Sequence, residues 1–257
     1  MYLDEILAQH REVASRDTRL LSDLVVAAKQ CKPARGFASR LIEDSKNHLA
    51  VIAEIKRRSP SQGMLNQNLQ PDLIAQQYQH AGASCISVLT DSDFFDGSPQ
   101  DLQLAREAVD LPVLRKDFTV SMNDICDAKI MNADCILLIV AALNQTELAE
   151  FHCLARKLEL DVLVEVHDEP ELEQALEIGA SIIGVNQRDL KTFEVDRQRA
   201  VRMATKIPSD VLRIAESGVK TRTDAQQLRD VGYHAVLVGE SLVTAGNIAK
   251  TLSELRV

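Results

Sequence analysis

The amino-acid sequence predicts an α/β fold, a (β/α)8 barrel with an N-terminal helical extension. Short apolar runs alternate with helical segments, eight such units follow one another, and the 257-residue chain is close to the ~250 residues typical of that barrel. Strand starts recur about every 20 to 33 residues, the rhythm of βα units joined by right-handed crossovers. The alternative is an open doubly wound sheet. It is weakened because no G-x-G-x-x-G follows the first strand.

Residues 1–48 contain an apolar stripe at Leu3, Ile6 and Leu7 and read as helices that flank or cap the barrel. No Gly/Ser/Pro tract separates them from it, so a single domain spanning 1–257 is expected. The strands are read at AVIAEIK (50–56), SCISVLT (84–90), LPVLRKDF (111–118) and DCILLIV (134–140). They continue at DVLVEVHD (161–168), SIIGVNQ (181–187), DVLRIAES (210–217) and HAVLVGE (234–240). Pro71, Pro99 and Pro170 mark first turns of the intervening helices, and Gly82, Gly179 and Gly232 mark their ends. After the sixth strand a helix is predicted over DRQRAVRMATKI, and after the eighth a single one over SLVTAGNIAKTLSEL.

Composition narrows the function classes. The chain is 46% hydrophobic and 26% charged, enough apolar material for a large core. A formal net charge of −9 without a Lys/Arg run argues against nucleic acid or an acidic membrane as partner, since both require basic patches. Five cysteines lack C-x-x-C spacing, which fits neither a disulfide framework nor a zinc site and points to a reducing compartment. The acidic start is unlike a secretory signal, and no apolar run nears the ~20 residues that span a bilayer. A cytoplasmic protein is expected.

Side chains alternate across a strand, so parity separates the face that meets the helices from the face that lines the barrel. In the first strand Val51, Ala53 and Ile55 form the unbroken apolar set. Glu54 and Lys56 therefore point inward at the C-terminal mouth. The same reasoning turns Lys116, Glu165, Asn186 and Glu216 inward from four other strand ends. Taken singly, a charged residue there is the first solvated position of a loop. Converging from five strands, such residues resemble the way barrel enzymes assemble an active site, and lysines beside glutamates are equipment for proton transfer. His167, two positions past Glu165, reads as a structural strand-end histidine.

A second feature is a candidate phosphate grip. Barrels often hold phosphate after strands seven and eight, where this sequence reads Glu216-Ser217-Gly218 and Gly239-Glu240-Ser241. Ser59 and Ser61 would close the grip from the first loop and Arg188 would add charge, while Glu240 should present its backbone N–H rather than its carboxylate. Two other functions fit these residues: a lyase working through a lysine Schiff base, and a phosphate-ligand binder without activity.

The stretches AEIKRRSPSQG, LTDSDFFDGS, VLRKDF, LLVEVHDEPEL, IIGVNQRDLKTFEVD, AESGV and LVGESL, in order from residue 53 to 242, resemble the indole-3-glycerol-phosphate synthase family of tryptophan biosynthesis. The resemblance implies a barrel that converts 1-(2-carboxyphenylamino)-1-deoxyribulose 5-phosphate into indole-3-glycerol phosphate, carbon dioxide and water. It implies no metal and no organic cofactor. Lys116 would be the general acid at the substrate carbonyl, and Glu165 the acid/base partner in loss of water. Lys56 would contact the substrate carboxylate and donate a proton in dehydration, with the division of steps between the two lysines left open. Glu54 would orient Lys56. Asn186, Glu216 and Ser217 would bind polar groups, and Phe95 and Phe118 would wall the aromatic ring. Ser59, Arg188, Gly218, Gly239 and Glu240 would lie at the phosphate. The expected partner is a phosphorylated small molecule, with no nucleic acid and no membrane, and the expected state is a monomer, with a weak homodimer as the alternative.

Overall fold

Eight parallel strands close on themselves in the computed structural model, which describes residues 2–190 and 192–257. They are β1 (Ala50–Ile55), β2 (Cys85–Leu89), β3 (Val113–Lys116), β4 (Cys135–Ile139), β5 (Asp161–Val166), β6 (Ile182–Asn186), β7 (Leu212–Glu216) and β8 (Ala235–Val238). Each pairs with its neighbours in sequence, and β1 closes the ring on β8, with Ile52 opposite Leu237. The barrel expected from the sequence is therefore the observed fold. The open-sheet alternative is excluded.

Helix α1 (Tyr2–Ser15), α2 (Leu21–Lys29) and α3 (Phe37–Ser45) precede the barrel. The covering helices are α4 (Pro71–His80), α5 (Pro99–Ala108), α6 (Met122–Ile130), α7 (Gln145–Lys157), α8 (Glu169–Glu177), α9 (Arg199–Met203), α10 (Arg222–Asp230), α11 (Glu240–Val243) and α12 (Ile248–Leu255). Their starts are fixed locally. Ser98, Ser121, Asn144, Asp168 and Thr221 each accept a backbone N–H from the first turn that follows them. At Ser121, Asn144 and Thr221 an acidic side chain three residues on returns the bond.

Two predicted helices are shorter than expected. α9 keeps five residues of its predicted segment, because the residues before it fold into a loop in which the Asp196 N–H donates to the Gln187 carbonyl. The last helix splits into α11 and α12, and Asn247 caps the second piece by accepting the Lys250 N–H.

The extension touches both ends of the barrel. Below, at the strands' N-terminal ends, Phe37 and Leu41 of α3 are fully buried, and the Ala38 N–H donates to Asp161. Above, α1 reaches the C-terminal mouth, where Leu3 and Ile6 are buried. Arg11 of α1 donates to Glu147 and to the Ala142 carbonyl.

Asp134 is the hub of the lower end. Fully buried, it accepts hydrogen bonds from the Arg35 N–H (2.7 Å), the Val113 N–H (2.8 Å) and the Arg106 guanidinium (2.9 and 3.0 Å). Removing one partner of a buried charge pair strands the other. Asp134→Ala should destabilise the protein by about 3 kcal/mol in urea denaturation while leaving turnover of the folded fraction unchanged. A loss under about 1 kcal/mol would mean that Arg106 and the freed N–H groups are served by water instead.

Candidate active site

Glu54, Lys116, Glu165, Asn186 and Glu216 stand at the C-terminal ends of β1, β3, β5, β6 and β7 and line one cavity of about 410 Å3. Strand parity puts them there. The Lys116 Nζ lies 3.4 Å from Glu165 Oε2 and 3.6 Å from Glu216 Oε2. Asn186 donates from Nδ2 to Glu165 Oε1 (3.0 Å), and Lys56, one residue past β1, donates to Glu54 Oε1 (2.6 Å).

Two glycines make room for two of the acids. A Cβ on Gly184 would stand 2.1 Å from Glu216 Oε1, and one on Gly239 would stand 2.3 Å from Glu54 Oε1. Any side chain there would push a carboxylate out of place. Gly239 thus serves the carboxylate cluster by what it lacks, whatever its backbone offers to an anion.

Electrostatics divide the group. Burial alone would strip the proton from Lys116, but the charges of Glu165, Glu216 and Glu54 outweigh it and raise its pKa above the ordinary lysine value. Burial also works against ionised Glu165, yet Lys116, His167 and hydrogen bonds from Asn186 and Glu216 bring its pKa below the usual carboxylate value. Glu216 goes the other way. Burial and the charge of Glu165 push its pKa well above the carboxylate range.

At the other end of the cavity, Ser217 and Gly218 both adopt left-handed backbone, φ 66° and 75°. That conformation is strained for serine, and the Gln187 side-chain amide holds it by donating to the Ser217 carbonyl (2.7 Å). Gly218 also lies where a Cβ would meet Val195 at 2.6 Å. Arg188, Lys220 and Arg197 line this end. Glu240 does not keep its carboxylate away from the cavity as expected: it pairs with Lys220 (3.4 Å) and Arg188 (3.8 Å). Two neighbouring cations make that position favourable. Ser59 and Ser61, from the loop containing the short antiparallel pair Arg58–Ser59 and Gly63–Met64, line the same end.

The wall between these polar regions is apolar. Phe95 and Phe118 face each other with centroids 6.3 Å apart, and Leu3 and Ile6 of α1 close over them. His10 of α1 packs on Phe118 at 5.4 Å and its Nε2 meets Asp91 Oδ2 at 2.9 Å and Asp117 Oδ1 at 4.0 Å. These three side chains have the spacing of a metal cluster. Their oxygens are already engaged, however: Asp91 accepts the Phe94 and Phe95 N–H groups, and Asp117 accepts from Thr90 and Arg115. The arrangement is an ion-pair anchor for α1.

Every residue singled out from the sequence for the site lines this one cavity. Sequence reasoning missed Lys220, Arg197 and the α1 residues. His167, read as a structural strand-end histidine, has its Nε2 3.5 Å from Glu165 Oε1.

A closed parallel barrel with an ammonium–carboxylate cluster at its mouth and cations across the cavity defines an enzyme that moves protons on an anionic small molecule. The family model described as Indole-3-glycerol phosphate synthase matches residues 3–255. The chain belongs to that family. It is 44% identical over 251 residues to an indole-3-glycerol phosphate synthase of Chloroherpeton thalassium, covering 96% of each chain. It is 46% identical over 237 residues to one of Acinetobacter baumannii, covering 91% of this chain and 87% of the relative. Among solved structures, a thiamine phosphate pyrophosphorylase from Pyrococcus furiosus is similar with a TM-score of 0.59 at 15% identity, over 83% of this chain and 95% of that one. At that identity the likeness is one of fold.

The pKa of Glu216 makes a prediction about stability. A carboxyl group with a raised folded pKa contributes stability that is fully present below its unfolded value, ~4.3, and lost as pH rises through the folded one. Glu216→Gln cannot ionise. Its unfolding free energy relative to the parent should therefore shift in the variant's favour from about pH 5 to about pH 8, read by urea denaturation. A difference that stays flat would show Glu216 to be ionised in the folded protein.

Proposed function

We propose that the cluster at the barrel mouth carries the family's reaction, with Lys116 as general acid and Glu165 as proton carrier. The supporting observation is the Lys116 ammonium held between Glu165 and Glu216 at the centre of the cavity. The enzyme is a carbon–carbon lyase: it closes the five-membered ring of 1-(2-carboxyphenylamino)-1-deoxyribulose 5-phosphate and releases carbon dioxide and water.

The chemistry needs three things from the protein. A ring carbon must attack the ketone, so the carbonyl oxygen gaining charge needs a proton donor; a half-buried lysine that keeps its proton supplies one. The same retained proton disfavours Lys116 as an amine nucleophile, which requires a free lone pair. Carbon dioxide then leaves and the benzene ring regains its aromaticity. Loss of water finally needs a base for the adjacent carbon–hydrogen bond and an acid for the departing hydroxyl. Glu165, held as a carboxylate, suits the first, and Lys56, paired with Glu54 beside the cavity, suits the second.

Positioning supplies much of the remaining rate. Arg188, with Ser59, Gly218, Gly239 and the backbone at Glu240, binds the phosphate, and Lys220 joins them. Phe95 and Phe118 grip the ring, and Asn186, Glu216 and Ser217 take the polar groups between. The pairing of Glu240 with Arg188 and Lys220 supports this placement: a carboxylate rests among the same cations that the phosphate would engage.

Residues 1–257 form one domain in this reading, since α1 and α3 pack on the barrel's two ends. A monomer is the working unit in this reading. Free cysteines throughout support a cytoplasmic location. No helix among the described residues is long and apolar enough to cross a membrane.

A continuous assay of indole fluorescence on the ribulose phosphate substrate tests the reading; tight binding without fluorescence gain would favour a silent ligand binder. Lys116→Met should lower kcat by at least about a thousandfold with substrate affinity within about tenfold, because the lost contact belongs to the transition state. Near-normal turnover would remove Lys116 from its role. Arg188→Met should raise KM about tenfold and leave kcat within about threefold, the signature of lost uniform binding; an unchanged KM would place the phosphate elsewhere.

A further inference from the structure

We propose that His167 is a positioning residue for this reaction: its imidazolium, wedged between Glu165 and Glu171, keeps Glu165 a carboxylate aimed into the cavity. The inference rests on Glu165 being the proton carrier.

The geometry fixes the protons on the ring. Asp168 caps helix α8 by accepting the Glu171 N–H (2.9 Å), and this places the Glu171 side chain over the strand end. Glu171 Oε2 lies 2.7 Å from the His167 backbone N and 3.0 Å from its Nδ1. The backbone N–H donates there, and a carboxylate oxygen can only accept, so Nδ1 carries a proton as well. The opposite nitrogen, Nε2, is buried with no hydrogen-bond partner and lies 3.5 Å from Glu165 Oε1. A bare lone pair facing a carboxylate would repel it. A second proton makes the contact attractive and short of a full hydrogen bond, ready to tighten.

The charges around the ring agree. Burial works against the imidazolium, but Glu171 and Glu165 more than offset it and raise the pKa of His167; Arg199 opposes them. Arg199 is itself occupied, donating to the Asn186 carbonyl (2.8 Å). Beyond Glu165 stand Lys116 from β3 and Glu216 from β7, so Glu165 lies between the Lys116 ammonium and the His167 ring. Lys116 takes Oε2, while Asn186 and His167 take Oε1. If Lys116 gives its proton to the substrate, half of that support disappears during turnover. His167 is the cation that stays.

The test is the pH dependence of kcat for the parent, His167→Gln and Glu171→Gln. Gln keeps an N–H donor near the Nε2 position and removes the charge. The acid-side midpoint should move up by about one unit in His167→Gln, because an opposite charge at this range lowers a carboxylate by about 1 to 3 units, with KM within about threefold. Glu171→Gln should move it the same way by less, and should lower the titration midpoint of the His167 ring seen by NMR of labelled histidine. Glu171→Gln carries the test if His167→Gln fails to fold. An acid midpoint unchanged in both variants would overturn the proposal. Glu165→Gln, run alongside, separates the two ideas: if it is inactive while the histidine variants keep the parent profile, only the role of His167 fails. If Glu165→Gln turns over normally, the role of Glu165 falls and that of His167 with it.

Discussion

One half-buried ammonium surrounded by acids governs the mouth of this barrel. Lys116 faces Glu165, Glu216 and, at longer range, Glu54, and these three acids are buried, so their charges cannot stand alone. The lysine needs the acids to keep its proton. The acids need the lysine, and even so one of them, Glu216, is better off neutral. Gly184 and Gly239 belong to the same constraint, because the strands beside Glu216 and Glu54 must lack side chains for the carboxylates to fit. Charge balance and packing volume are therefore settled together, and a change in either disturbs both.

The rest of the site is arranged around that centre. Cations at the far end suit an anion, the aromatic wall between suits a flat ring, and α1 packs against that wall. The anchor of α1 is itself electrostatic: His10 is shared by Asp91 and Asp117, and Asp117 adjoins Phe118 of the wall. A helix outside the barrel thereby contributes Leu3 and Ile6 to a cavity otherwise built from strand ends and the loops after them.

Legibility in the sequence followed the range of the physics. Glu54, Lys116, Glu165, Asn186 and Glu216 could be placed because side-chain alternation has a period of two and is decided within each strand. Gly82, Gly179 and Gly232 were readable as helix ends because left-handed backbone favours glycine. Glu159 takes the same conformation at the end of α7 (φ 59°) with no such signal in its residue type. The stripe at Leu3 and Ile6 announced a buried face without saying against what. Lys220 and Arg197 reach the cavity only through the paths of their loops. The surroundings of His167 were hidden for a similar reason, since they depend on Glu171 returning from the next helix, and alternation says nothing about that contact.

The grip of residues 2–48 on both ends of the barrel bears on how the chain assembles. These residues leave the ribosome before any strand, yet α3 settles against the feet of β2 and β5 and α1 against loops following β2 and β3. The ring itself shuts only when β8 arrives to pair with β1, and the Leu49 N–H donates to the carbonyl of Val257. Such long separations slow folding and leave early segments waiting for partners. During synthesis the leading helices have greasy faces and nowhere to put them, which makes them the natural foothold for a chaperone.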